Sequence, residues 1–193
     1  AFGNAVTSRN HNSSRFGKHM VLFLQPNGAV QGARIRTYLL ERTRVATAPP
    51  PGERNFHIFY LLAARGALPG GRNAANFRCL RHRSATDGAP LVGPTRVGSG
   101  AGVGVGAGTP RDGGSLAGEA AAFAELEAAL SLLFVPTTVQ SALWELLGAL
   151  LLLAEVDFTP DENGYALPAS MDDLTAAEAA LGCPGLGMLL TAT

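Results

Sequence analysis

The stretch Asn10-His11-Asn12-Ser13-Ser14-Arg15-Phe16-Gly17-Lys18 decides how this chain is interpreted. It places two amides, two hydroxyls, a guanidinium and an ammonium directly before the apolar run Met20-Val21-Leu22-Phe23-Leu24. Hydroxyl oxygens suit a hard cation such as Mg²⁺, and basic groups suit phosphate oxygens. The stretch therefore has the composition of a loop that grips a metal-bound phosphate.

An ordinary turn is the alternative interpretation, because loops rich in Ser, Asn and Gly often only cap or reverse the backbone. The order of the residues favours the phosphate loop. The stretch resembles switch I of the myosin motor domain, which closes over the phosphates of ATP. Asn-x-x-Ser-Ser-Arg also occurs in kinesin motors, whereas the continuation Phe16-Gly17-Lys18 is the myosin form.

The resemblance implies a role for each polar residue of the motif. Asn10 and Asn12 would bind the nucleotide, with Asn10 on its phosphates. Ser13 would stabilise the γ-phosphate and its attacking water, and Ser14 would ligate Mg²⁺. Arg15 would pair with a glutamate of switch II and close the pocket. Ser13 and Arg15 are therefore the predicted catalytic residues, and Mg²⁺ with ATP is the expected cofactor.

The backbone of the motif carries two further predictions. Consecutive residues of an extended segment point to opposite sides, which lets Ser13 and Ser14 do different jobs. Gly17 is counted with the nucleotide-binding residues. We expect it to permit the conformation of the loop, because glycine alone reaches positive φ without steric cost.

Two neighbouring segments support the resemblance. Residues 19–24 and 33–41 predict a hairpin around the turn Pro26-Asn27-Gly28. A helix is predicted over residues 53–62, with Gly66 as its end. The wording of both segments is typical of the family, and their residues are expected to be structural.

The C-terminal part resembles the family more loosely. A helix over residues 119–134 should carry an apolar stripe, which consists of Phe123, Leu126, Leu130 and Leu133. A second helix, over about residues 139–154, is apolar nearly all round but shorter than the ~20 residues of a membrane span, which favours a buried core helix. A short hairpin around residues 160–164 and a small helix capped by Ser170 and Asp173 follow.

The chain therefore divides into three predicted regions of an α/β fold, part of a P-loop-NTPase-type myosin motor domain. Residues 1–65 hold switch I, the strand hairpin and the first helix. Residues 66–118 form a low-complexity insert rich in Gly and Pro. Residues 119–193 form the helical part with the short hairpin. Glycine at every even position from 98 to 108 predicts that residues 84–118 are poorly packed.

Composition narrows the choice of partners. The 193 residues carry 15 basic and 15 acidic side chains, a net charge of zero that predicts no nucleic-acid and no membrane partner. Cys79 and Cys183 lie far apart in unlike contexts, which suits free thiols of a reducing compartment. The motif begins almost at Ala1, so we expect a fragment of a longer polypeptide.

Two other phosphate-site motifs do not occur in the sequence, namely Gly-x-x-x-x-Gly-Lys-Ser/Thr and the Asp-x-x-Gly-Phe-Glu of switch II. The resemblance thus implies a fragment of an actin-based, ATP-hydrolysing motor of the cytoplasm, in a myosin complex of the cytoskeleton. Whether the parent is a competent enzyme stays open, and this chain alone is expected to be inactive. The alternative is a non-catalytic pseudo-motor remnant that acts as a scaffold or interaction module.

Overall fold

A computed structural model describes residues 1–81 and 116–191 of the chain. Helices and strands are mixed, as the α/β prediction requires. Their order is β1 (Asn4–Ala5), β2 (Ser13–Ser14), β3 (Gly17–Leu24), β4 (Val30–Tyr38), α1 (His57–Ala64), α2 (Leu116–Leu132), α3 (Thr137–Leu153), β5 (Phe158–Pro160), β6 (Ala166–Pro168), α4 (Asp172–Leu181) and α5 (Leu186–Thr191). Within the described ranges, the strands form three antiparallel pairs, β1 with β2, β3 with β4 and β5 with β6.

The core is built around α1, whose sequence is almost wholly apolar. Five of its eight residues are buried, namely Ile58, Phe59, Tyr60, Leu61 and Leu62. Helices α2 and α3 contribute the ring pair Phe123 and Trp144, with centroids 4.9 Å apart and planes tilted by 55°. Such tilted pairs add attraction between ring edge and ring face to the burial of apolar area. The three helices therefore share one hydrophobic core.

The predicted β3–β4 hairpin is confirmed. Gly17 pairs with Tyr38 at its open end, and Gly28 has a φ of 83° in the turn, which glycine adopts without strain. Most side chains of both strands are exposed, including the apolar Met20, Leu22 and Ile35. The hairpin therefore extends from the helical core as a ribbon.

The first helix begins later than the sequence predicts. It starts at His57 and not at residue 53, because Phe56 is extended and pairs with Ala5 in an isolated antiparallel bridge. Asn55 is fully buried, and its Nδ2 donates to the carbonyls of Arg44 and Cys79. The predicted end is confirmed, since Arg65 is the C-cap of the helix and Gly66 follows it with a φ of 73°.

The C-terminal helices differ from the prediction in three places. Leu133 is 73% exposed, because α2 ends one residue before it. Helix α3 buries one face and exposes Leu146 and Leu150 on the other. Ser170 and Asp173 do not form a capping box; Met171 occupies the N-cap of α4, and Asp173 pairs with Arg72 at 2.5 Å.

The beginning of the predicted insert belongs to the core. Residues 69–80 form three short 3₁₀ turns, and the anchors Leu68, Phe77 and Leu80 are each at most 4% exposed. These apolar side chains outweigh the Gly and Pro content that suggested a loose segment. The rest of the predicted insert up to residue 115, with the alternating glycines, lies outside the described residues.

The two cysteines and the length of the helices bear on the remaining expectations. Cys79 is buried, Cys183 is exposed, and both are free thiols. Burial raises the pKa of the Cys79 thiol to about 12. Within residues 1–81 and 116–191, no helix is long and apolar enough to cross a membrane.

Phe123→Ala should lower the free energy of unfolding of the chain by about 3–5 kcal/mol, because it removes a buried ring from the contact between α2 and α3. Leu133→Ala is the matched control, since its side chain is exposed, and it should change stability by less than about 0.5 kcal/mol. Urea unfolding followed by circular dichroism measures both. Equal effects of the two substitutions would contradict this packing.

Candidate functional site

The polar loop, residues 6–15, follows β1 directly, includes β2 and ends at Arg15. Strand pairing sets Asn4 opposite Ser14 and Ala5 opposite Ser13. Ala5 is fully buried, so one end of this pairing is part of the core. At the far end, the N–H of Arg15 donates to the carbonyl of Gly3 at 2.8 Å. The loop is therefore exposed at its tip and fixed at its base.

The two asparagines use their acceptor oxygens inside the polar loop. Asn10 Oδ1 accepts the backbone N–H of Asn12 at 2.8 Å, which is an Asx turn. Asn12 Oδ1 accepts Nδ2 of Asn4 at 2.8 Å. Because the side-chain oxygens are used in these bonds, the side-chain N–H groups on Nδ2 of Asn10 and Asn12 are the groups offered to a ligand. Donors of this kind suit the oxygens of a phosphate.

The two serine hydroxyls differ in their hydrogen bonds: one acts as a donor and the other as an acceptor. Ser14 Oγ donates its proton to the carbonyl of Phe16 at 3.1 Å, which leaves its lone pairs for a cation. Ser13 Oγ accepts Nη1 of Arg15 at 3.2 Å, which leaves its proton for an anion or a water. Both residues are extended in β2, as predicted. Ser13 is half-buried and Ser14 is exposed.

This donor set suits one kind of metal site. Among the described residues, no group of three or more His, Cys, Asp or Glu side chains could hold a metal ion. Mg²⁺ commonly takes only one or two protein ligands, with substrate phosphates and waters in its other positions. The single hydroxyl of Ser14 fits such a partial contribution. It does not make a metal site by itself.

Arg15 has its acidic partner within this chain. Its Nε donates to Glu41 Oε2 at 2.5 Å, and the N–H of Glu41 donates to the carbonyl of Arg15. Arg44 shares the same carboxylate, with Nε 2.9 Å from Oε2 and Nη2 3.3 Å from Oε1. Burial raises the pKa of Glu41, but hydrogen bonds and charges from Arg44 and Arg15 outweigh it and lower that pKa below its usual value. Glu41 is therefore ionised at neutral pH.

Glu41 and Arg44 are residues that the sequence analysis assigned no role at the site. The signal for Glu41 was present in the hairpin. Antiparallel register around Gly17 and Tyr38 brings Arg15 beside the residues that follow β4. For Arg44 the signal was incomplete, because Glu41 lies only three residues before it in the chain but Glu53 and Arg54 come from a separate segment. The pairing of Arg15 with a switch II glutamate stays a prediction.

The reason given for Gly17 is wrong. Gly17 lies in β3 and is not among the residues with positive φ. A Cβ at this position would lie 2.5 Å from the ring of Tyr38, so a larger residue would displace that exposed ring from its place across the hairpin. Gly3 meets the ring of Phe16 in the same way.

Residues 1–188 match the family model of the myosin head (motor domain). This chain belongs to that family. It is 34% identical to Myosin-2 of Saccharomyces uvarum over 184 residues, which cover 94% of this chain and 10% of that protein. It is 33% identical to Myosin-1 of Arabidopsis thaliana over 184 residues, covering 95% of this chain and 14% of the relative.

A shorter match has a higher identity. Over 64 residues, which make up 33% of this chain and 4% of the relative, it is 61% identical to Myosin-5 of Arabidopsis thaliana. The chain spans about a tenth of the length of the first of these relatives. The prediction of a myosin motor domain is thereby confirmed.

Glu41→Gln should lower the stability of the chain by about 1–3 kcal/mol at pH 7, because Arg15 and Arg44 lose their shared charge. The pKa of Glu41 is lower in the folded chain than its unfolded value of about 4.3. The extra stability is therefore present above pH 4.3 and is lost as the pH falls through the lowered pKa. Urea unfolding at pH 7, 5, 4 and 3 should show the difference between wild type and Glu41→Gln shrinking.

Glu162→Gln is the control, since Glu162 is exposed in the turn between β5 and β6. Its effect should be small at every pH. A Glu41→Gln difference that stays constant from pH 7 to pH 3 would contradict the ionised network.

Proposed function

We propose that this chain supplies the switch I part of the Mg²⁺–ATP site of an actin-based myosin motor with a P-loop-NTPase-type fold. One observation carries the proposal, namely that the polar loop presents amide and hydroxyl donors for phosphate beside one hydroxyl oxygen for a cation. The family match supports the motor context.

The proposed roles follow from the atoms that each residue offers. The amide N–H groups of Asn10 and Asn12 bind phosphate oxygens. The Ser13 proton is donated to the γ-phosphate or to the attacking water, and a Ser14 lone pair enters the shell of the metal. Mg²⁺ supplies neutralisation of the phosphate charge when it is bound.

Arg15 contributes through charge and position. Its guanidinium keeps Ser13 Oγ in the acceptor role at 3.2 Å, so the Ser13 proton points away from the cation. Phosphoryl transfer requires little covalent work from the protein, and a fixed donor at the reacting phosphate lowers the barrier without reorganisation. In the full motor, closure around Arg15 would exclude water.

The same proposal extends to the parent protein. It would hydrolyse ATP, bind actin filaments and act in the cytoskeleton as part of a myosin complex. The isolated chain would be inactive, because its sequence contains no Gly-x-x-x-x-Gly-Lys-Ser/Thr motif whose amides and lysine cradle the phosphates. The rival is a non-catalytic remnant that serves as a scaffold.

Ser14→Ala and Arg15→Ala should each lower actin-activated ATPase turnover about 100-fold or more in a full motor that carries this segment, while nucleotide still binds. Arg36→Ala is the control, because Arg36 is exposed on β4, and its turnover should equal that of the parent. Steady-state ATPase assays and binding of a fluorescent nucleotide measure both properties. If both variants keep parental turnover and lose only thermal stability, the loop is structural and the scaffold function is favoured.

The isolated 193-residue chain should bind Mg²⁺–ATP with a Kd weaker than about 1 mM, because an exposed loop gives few of the contacts that offset lost ligand freedom. Isothermal titration calorimetry measures this affinity. Micromolar binding would show that the chain forms a complete nucleotide site by itself.

A further inference from the structure

Arg44 is a buried cation in the 3₁₀ turn that follows the hairpin. Its side chain is only 6% exposed. Nη1 donates to the carbonyl of Arg54 at 3.1 Å, and the other nitrogens donate to two carboxylates, Glu41 and Glu53. Burying a guanidinium is costly unless its donors are satisfied. With acceptors on Nε, Nη1 and Nη2, the planar Arg44 guanidinium is held in one orientation.

The two carboxylates lead to opposite ends of the polar loop. Glu41 accepts Nε of Arg15 at the C-terminal end, and Arg15 in turn donates to Ser13 Oγ. Glu53 pairs with Arg44 through Oε2 at 3.2 Å, and its Oε1 accepts the backbone N–H of Ser8 near the N-terminal end at 3.3 Å. None of these contacts involves Arg44 and the loop directly.

We propose that Arg44 is a positioning residue that braces both ends of the polar loop through Glu41 and Glu53. This inference rests on the proposed function of Ser13 and Arg15. Without Arg44, Glu41 keeps a single cationic partner and can rotate, so Arg15 no longer has a fixed direction. Glu53 loses its buried partner at the same time, and the hold on Ser8 weakens.

The planar fork of the side chain is essential to this role. Arginine presents its N–H groups in a rigid plane and so reaches two carboxylates from one position, whereas the lysine ammonium is a single point charge. Arg44→Lys therefore keeps the charge but not the geometry. This substitution therefore distinguishes a role that needs the geometry of the guanidinium from one that needs only its positive charge.

A purely structural Arg44 is the competing account, since its own carbonyl accepts from the buried Asn55. The two accounts differ in where the effect of a substitution appears. A brace affects residues 8–15 and leaves distant helices alone. A structural residue affects the whole core.

Amide hydrogen exchange on the full chain distinguishes the accounts. Arg44→Met should accelerate exchange at Ser8, Asn12 and Arg15 about tenfold or more, with α3 unchanged. Arg42→Met is the matched control, because Arg42 lies in the same turn and is exposed. Unchanged exchange in the loop, or equal acceleration in the loop and α3, would overturn the inference.

Arg44→Lys is the second variant, for the case that Arg44→Met does not fold. It should accelerate loop exchange while the unfolding midpoint stays close to that of wild type. Loop exchange equal to that of wild type in Arg44→Lys would show that charge alone suffices, which contradicts the brace.

Kinetics of the full motor separate this inference from the proposed function. Arg44→Lys should lower kcat about tenfold or more and leave KM for Mg²⁺–ATP nearly unchanged, because misdirected groups act on the chemical step. If Ser14→Ala and Arg15→Ala slow turnover but Arg44→Lys does not, the brace is wrong and the proposed function stands. If Ser14→Ala and Arg15→Ala leave turnover unchanged, the proposed function is wrong. The hydrogen-exchange results then decide by themselves whether Arg44 positions the loop.

Discussion

The carboxylate of Glu41, shared between Arg15 and Arg44, is the interaction on which the geometry of the polar loop depends. One oxygen of Glu41 lies 2.5 Å from Arg15 and 2.9 Å from Arg44. Two cations can approach this closely only because a full negative charge lies between them. Through Glu41, the end of the hairpin is joined to Arg15 of the polar loop and to Arg44 of the buried turn. Its disruption would leave a buried guanidinium with half of its ionic partners, and that is costly.

The polar loop combines a fixed base with an accessible tip. Ala5 pairs with Phe56 at the base, and the N–H of Arg54 donates to the carbonyl of Val6, so the segment before α1 anchors the loop to the helical core. Asn10 and Asn12 at the tip are exposed. A ligand can therefore reach donors whose directions are already set, which lowers the entropy lost on binding. The hairpin contributes to the site through Glu41.

Short-range patterns made much of this structure predictable. The turn chemistry of Pro26-Asn27-Gly28 and the end of α1 at Gly66 are local, and both were predicted from the sequence. The start of α1 was not, because Phe56 is held extended by a strand more than forty residues away. Arg44 was missed because its burial depends on Glu53 and Arg54, which are brought to it by the fold and not by a helical or strand repeat. The close packing of Gly17 likewise involves a residue across the hairpin, the ring of Tyr38.

The central claim is that the two serine hydroxyls divide between phosphate and metal. A crystal structure of the full motor with Mg²⁺, ADP and a γ-phosphate analogue tests it most directly, through the distance from Ser14 Oγ to the metal. The account predicts about 2.1 Å, the usual Mg²⁺–oxygen bond length, with Ser13 Oγ within hydrogen-bond distance of the analogue. A Mg²⁺ ion coordinated without Ser14, with the Ser14 hydroxyl bound only to the Phe16 carbonyl, would contradict it.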